Sequence, residues 1–171
     1  MTPREREGNA PEPGQSRVAA ADESGAASSR PESHSDERSR HRPILVVDDD
    51  AGILALVVRT LRGRGYAVRG FPGGREALLA IYGPGSTPSL LLTDIDMPAM
   101  TGIELAARIA ADRPGVPIVL MSGNPALLDM ARDRPELVRG VLRKPFEVDD
   151  LVGIVERTIG PPPAGEEPPI E

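Results

Sequence analysis

The chain has 171 residues, a net charge of -6, 39% hydrophobic residues and no cysteine. That excludes disulfides and thiolate metal sites, and argues against the basic face that nucleic-acid binding requires. No apolar run approaches the ~18 residues of a membrane span, and the N-terminus has no apolar stretch that could serve as a signal peptide, so a cytoplasmic protein is expected.

Met1 to Arg42 holds Val18 as its only branched aliphatic residue. Such a segment cannot bury enough surface to offset its ordering entropy, and it is predicted to be disordered. His34 and His41 fall in it and receive no catalytic role. Pro161 to Glu171, PPPAGEEPPIE, is predicted to be a second disordered tail. Pro43 to Gly160 carries nearly all the Ile, Leu, Val, Phe and Tyr, and is the expected folded unit, with room for one core.

Ile44 to Val47 is an all-apolar run, suited to a strand buried on both faces. It ends in Asp48, Asp49 and Asp50. Ile53, Leu54, Val57, Val58 and Leu61 follow at helical spacing, with Asp50 placed to cap that helix and Gly63 or Gly65 to end it. Tyr66 to Phe71 reads as a short strand. Gly74 to Tyr82 reads as a helix with Ala77, Leu78 and Ile81 inward, and Pro84 to Pro88 as a loop.

Leu90 to Thr93 is the next buried strand, and it stops at Asp94. Met97-Pro98 keeps the chain out of a helix at once, and Gly102 is expected to let the backbone turn. Ile103 to Asp112 is a helix through Leu105, Ala106 and Ile109. Pro117 to Met121 is a strand ending in Ser122-Gly123, and Asn124-Pro125 supplies a cap and a proline at the first helical position. Leu127, Leu128 and Ala131 give that helix a weak apolar face before Pro135 ends it. Gly140 to Leu142 is a short strand leading to Lys144-Pro145-Phe146, and Leu151, Ile154, Val155 and Ile159 mark the last helix. Strands alternating with helices in this way imply an α/β fold with a doubly wound parallel sheet.

In such sheets ligands bind beyond the carboxyl ends of the strands. The groups delivered there are Asp48 and Asp49, Asp94, Ser122 and Lys144. Each has an ordinary reading alone: Asp94 as a turn residue, the triple Asp as a helix cap, Ser122-Gly123-Asn124 as a turn, Lys144 as chance. Together they form a set. Carboxylates converging without neutralisation repel one another, which calls for a cation, and Mg²⁺ suits an all-oxygen site shared with phosphate. An entering phosphoryl group would meet Mg²⁺, Lys144 and the Ser122 hydroxyl, the charge stabilisers that phosphoryl transfer needs. Lys144 is the only lysine in a chain whose other basic residues are all Arg, and a compact ammonium suits a place beside a metal better than a planar guanidinium.

Pro43 to Gly160 resembles the receiver domain of two-component response regulators through VVDDD at Asp48 and Asp49, TDIDMPAMTG at Asp94, MSG at Ser122 and KPF at Lys144. The resemblance implies a flavodoxin-like (βα)5 fold with strand order 2-1-3-4-5. It implies that Asp94 is the phosphoacceptor, that Asp48 and Asp49 hold Mg²⁺ with Asp94 and the backbone carbonyl of Asp96, and that Ser122 and Lys144 are the switch hydroxyl and the phosphate-pairing lysine. The implied donor is a sensor histidine kinase or histidine phosphotransfer protein, with a possible downstream protein target and no direct contact with nucleic acid or membrane. Many members carry Tyr or Phe three residues before the lysine, and Val141 stands there, so output by loop and helix displacement or by onward phosphoryl passage is expected. The Pro-rich tail suggests a stand-alone receiver or one from a hybrid kinase. The competing enzyme reading is a haloacid-dehalogenase-like phosphatase using Asp94 and Asp96 as its Asp-x-Asp, although there the acidic pair comes last and here it comes first.

Overall fold

Four consecutive apolar residues, Ile44–Val47, form strand β1 with every side chain buried. Their alternation divides the core between the two faces of a sheet. Leu45 and Val47 point to one face with Leu91, Ile118 and Leu120. Ile44 and Val46 point to the other with Leu90, Leu92, Val119 and Met121. In this computed structural model, which describes residues 42–83 and 87–162, the remaining strands are β2 (Val68–Phe71), β3 (Leu90–Asp94), β4 (Ile118–Ser122) and β5 (Gly140–Arg143). They form a parallel sheet in the order β2-β1-β3-β4-β5.

The helices are α1 (Ala51–Gly63), α2 (Gly74–Tyr82), α3 (Gly102–Asp112), α4 (Pro125–Arg132) and α5 (Val148–Ile159). Val57 and Leu61 of α1, and Leu151, Ile154 and Val155 of α5, cover one face of the sheet. Ala77 and Ile81 of α2, Leu105, Ala106 and Ile109 of α3, and Leu128 and Ala131 of α4 cover the other. Burying long aliphatic side chains of this kind contributes roughly 1.5–3 kcal/mol each relative to leaving them in water.

The helix starts follow their caps. The Asp50 carboxylate accepts from the backbone N–H groups of Gly52 and Ile53 at 2.8 and 2.9 Å. Thr101 and Glu104 form a reciprocal capping box on α3, and Asn124 accepts from Ala126 N–H at 3.0 Å with Pro125 next in line. Gly65, with φ of 91°, supplies the left-handed turn after α1.

Several element ends differ from expectation. β2 begins at Val68 rather than Tyr66, because Tyr66 N–H still bonds Leu61 O at 3.1 Å and belongs to the turn. β3, β4 and β5 each run one residue further, to Asp94, Ser122 and Arg143, and the last two pair with each other. α4 ends at Arg132, ahead of Pro135. Of the loop expected over Pro84 to Pro88, residues 84–86 lie outside the described residues, as do the two predicted tails apart from Arg42, Pro161 and Pro162.

Candidate functional site

The strand ends deliver polar groups into an otherwise apolar layer. Asp48 follows β1 and is 1% exposed, Asp94 closes β3 at 4%, and Ser122 closes β4 at 1%. The register explains the meeting: β1 and β3 pair side by side, with Val47 opposite Thr93, so the next residues on each strand are Asp48 and Asp94. Lys144 comes from beyond β5, where its backbone N–H bonds Ser122 O at 2.8 Å.

The Lys144 ammonium lies between the two acids. Its Nζ donates to Asp48 Oδ2 and to Asp94 Oδ1, both at 2.6 Å, with the lysine side chain 15% exposed. Charge-assisted bonds of this length are among the stronger ones in proteins. Burial opposes the ammonium's charge, but the hydrogen bonds and charges of Asp48 and Asp94 outweigh it, and the pKa of Lys144 stands above the ordinary lysine value. The pKa of Asp48 stands above its ordinary value, chiefly because of burial; Lys144 and the Asp50 N–H, which bonds Asp48 Oδ1 at 3.0 Å, pull the other way, and Asp94 adds to the rise.

Two buried carboxylates share one ammonium, so the trio keeps a net negative charge. That under-neutralised, all-oxygen edge fits a hard divalent cation. Asp49 and Asp96 are exposed, outside this hydrogen-bonded trio. Among the described residues no three acidic or histidine side chains close into a metal cluster by themselves.

Asp50 caps α1, as its place just before the helical period predicted. The Ser122 hydroxyl accepts from Asn124 N–H at 3.0 Å, which shapes the turn after β4. Val141 is half-buried and packs against the core under α2, α3 and α4.

Two supports of Asp94 went unread in the sequence. Thr93 Oγ1 donates to the Asp94 carbonyl at 3.0 Å; a lone hydroxyl closing the apolar run Leu90–Leu92 was its trace. Gly102 does not serve as a left-handed turn residue. Its N–H bonds Ile95 O at 3.0 Å, and a methyl group on its Cα would overlap the Asp94 carbonyl oxygen. The left-handed position in this loop is Ala99, with φ of 64°.

Residues 44–156 match the family model described as the response regulator receiver domain. The response regulator receiver protein CpdR of Brucella abortus is 38% identical over 118 residues, spanning 68% of this chain and 95% of CpdR. The DNA-binding transcriptional regulator NtrC of Salmonella typhimurium is 35% identical over 116 residues, 68% of this chain but only 24% of NtrC. Among solved structures, the receiver domain of NtrX from Brucella abortus superposes with a TM-score of 0.62 at 30% identity, covering 68% of this chain and 97% of that one. A CheY-like receiver from Methanospirillum hungatei JF-1 gives 0.63 at 28% identity, over 69% and 93%.

The phosphatase reading finds no support in these relatives. Receiver domains are signalling phosphoacceptors that take phosphoryl groups from histidine kinases and generally depend on Mg²⁺. With its flavodoxin-like sheet and an acidic edge bound to a lysine, the chain belongs to the receiver-domain family of two-component response regulators.

Proposed function

We propose that Asp94 is the residue phosphorylated in this receiver, from a phosphohistidine on a sensor histidine kinase or a histidine phosphotransfer protein. The observation that carries the reading is the Lys144 ammonium bonded at once to Asp94 and Asp48. It holds one Asp94 oxygen and leaves the other to react. That oxygen attacks the phosphorus in line, an O–P bond forms, and the P–N bond breaks with its electron pair leaving on the imidazole. Lys144 offsets charge on the phosphoryl oxygens without needing to move far.

Asp48, Asp49 and Asp94, with the Asp96 carbonyl, are the groups that would hold Mg²⁺, whose contribution when bound is to neutralise phosphoryl charge. Ser122 then turns its hydroxyl proton to a phosphoryl oxygen and draws the turn Ser122 to Asn124 inward, biasing an existing equilibrium of α4 and β5. With Val141 at the aromatic position, output runs through that displacement or through onward phosphoryl transfer.

In this reading the domain extends over Pro43 to Gly160, lies in the cytoplasm, and signals through protein contacts rather than through nucleic acid. It catalyses only its own phosphorylation and dephosphorylation. The test is incubation with acetyl phosphate, with and without Mg²⁺, followed by intact mass measurement. One phosphoryl group per chain in the presence of Mg²⁺, absent in Asp94→Asn, supports the reading. Unchanged labelling of that variant, or continuous hydrolysis of a generic phosphate ester, opposes it.

A further inference from the structure

The three aspartates that follow β1 take separate directions. Asp48 turns inward to Lys144, Asp49 is exposed, and Asp50 turns back onto the first turn of α1. A backbone bond ties the first to the third: Asp50 N–H donates to Asp48 Oδ1 at 3.0 Å. With Lys144 Nζ on Oδ2 at 2.6 Å, each oxygen of the buried Asp48 carboxylate has a donor, and its orientation is set from two sides.

Lys144 reaches Asp48 on a flexible stem and is shared with Asp94. The other support is stiffer, because α1 holds it. Asp50 Oδ1 accepts from Gly52 N–H at 2.8 Å and from Ile53 N–H at 2.9 Å, and the Asp50 carbonyl accepts from Leu54 N–H at 2.9 Å. These bonds to the helix keep Asp50 in the extended conformation, φ of -78° and ψ of 107°, from which its N–H meets Asp48. Gly52 leaves the cap room, since a methyl group on its Cα would lie only 3.1 Å from Asp50 Oδ1. The turn after β4 is built in the same way: Ser122 Oγ accepts from Asn124 N–H at 3.0 Å, and Asn124 Oδ1 accepts from Ala126 N–H at 3.0 Å. In both turns the capping side chain bonds its helix, and its N–H bonds a strand-end oxygen of the site.

We infer that Asp50 is a positioning residue for Mg²⁺ binding: by capping α1 it holds the N–H that orients Asp48, while its own carboxylate is spent on the helix. The inference rests on the proposed Mg²⁺ set of Asp48, Asp49 and Asp94. Donors that orient a ligating carboxylate tune its affinity for a metal, and a carboxylate oriented in advance loses less freedom when a cation arrives. The role belongs to the cap and not to the charge of Asp50, so another side chain with a capping oxygen serves equally.

The test measures the Mg²⁺ dissociation constant of the unphosphorylated full chain by amide ¹H–¹⁵N titration with MgCl₂ at neutral pH. Asp50→Ala, which removes the cap, should weaken binding about tenfold. Asp50→Pro, whose ring accepts the observed φ but which has no N–H to donate, should be at least as weak. Asp50→Asn and Asp50→Ser lose the charge but keep a capping oxygen, and should bind within about twofold of the native chain. Tyr66→Phe removes a hydrogen bond at the opposite edge of the sheet and serves as the control for lost stability, with native affinity expected. Native affinity in either Asp50→Ala or Asp50→Pro would overturn the proposal. So would Asp50→Asn as weak as Asp50→Ala, which would mean that the charge acts and not the cap, and so would an equal loss in Tyr66→Phe. The absence of any saturable shift in the native chain would instead overturn the Mg²⁺ set itself, and this proposal with it.

Discussion

Asp94 is held by contacts from three directions: Lys144 on its carboxylate, and Thr93 and the close approach of Gly102 at its carbonyl. The glycine has no slack. Gly102→Ala forces a methyl group into the Asp94 carbonyl, an overpacking that costs at least about 2 kcal/mol, read as a lower urea midpoint with unchanged slope. Ala99 presents the opposite case, an alanine held at positive φ. Ala99→Gly removes that strain at the expense of a more flexible unfolded chain, so the net effect in the same urea assay is a gain of about 0–1 kcal/mol. Asp94, Lys144 and Ser122 were legible as candidates because charged or hydroxyl groups ended apolar runs. The role of Gly102 was not, because a glycine needed for left-handed geometry and one needed for close approach look the same until the neighbouring backbone is placed.

Among the elements, β1, β3 and β4 were readable from three- or four-residue apolar runs, since a strand buried on both faces has almost no room for polar residues. The edge strands were less so. β2 was drawn two residues too long because Tyr66 and Ala67 extend an apolar pattern, while the bond from Tyr66 N–H to Leu61 O keeps Tyr66 in the turn. β5 accepts the exposed Arg143, as an edge strand facing water can. The caps at Asp50 and Asn124 were legible because a side-chain acceptor stood just before each helical period. The Thr101–Glu104 box on α3 carried the same signature unread, three residues apart. Thr101→Ala removes the acceptor for Glu104 N–H, and a loss of about 1 kcal/mol in urea unfolding is expected.

Across the whole molecule, Tyr66 joins residues 94 positions apart by donating to Gly160 O, a link with no local signature in the sequence. Burial, with Glu156 adding to it, pushes the Tyr66 hydroxyl from 10.0 up to about 12. Between those values the unfolded chain loses its phenolic proton before the folded one does. The stabilisation from this group is therefore complete below about pH 10 and is lost as pH rises towards 12. Thermal melts should show Tm falling more steeply over that interval in the native chain than in Tyr66→Phe. The same long-range assembly creates the site, since Asp48, Asp94 and Lys144 meet only when β1, β3 and β5 lie in their observed order. The most direct test is to phosphorylate the intact chain with acetyl phosphate and Mg²⁺, trap the acyl phosphate by borohydride reduction, and map the resulting homoserine by peptide mass spectrometry. Homoserine at position 94 alone is the outcome expected of a lysine-held acceptor at this edge; homoserine at 48, 49 or 96, or none anywhere, would contradict it.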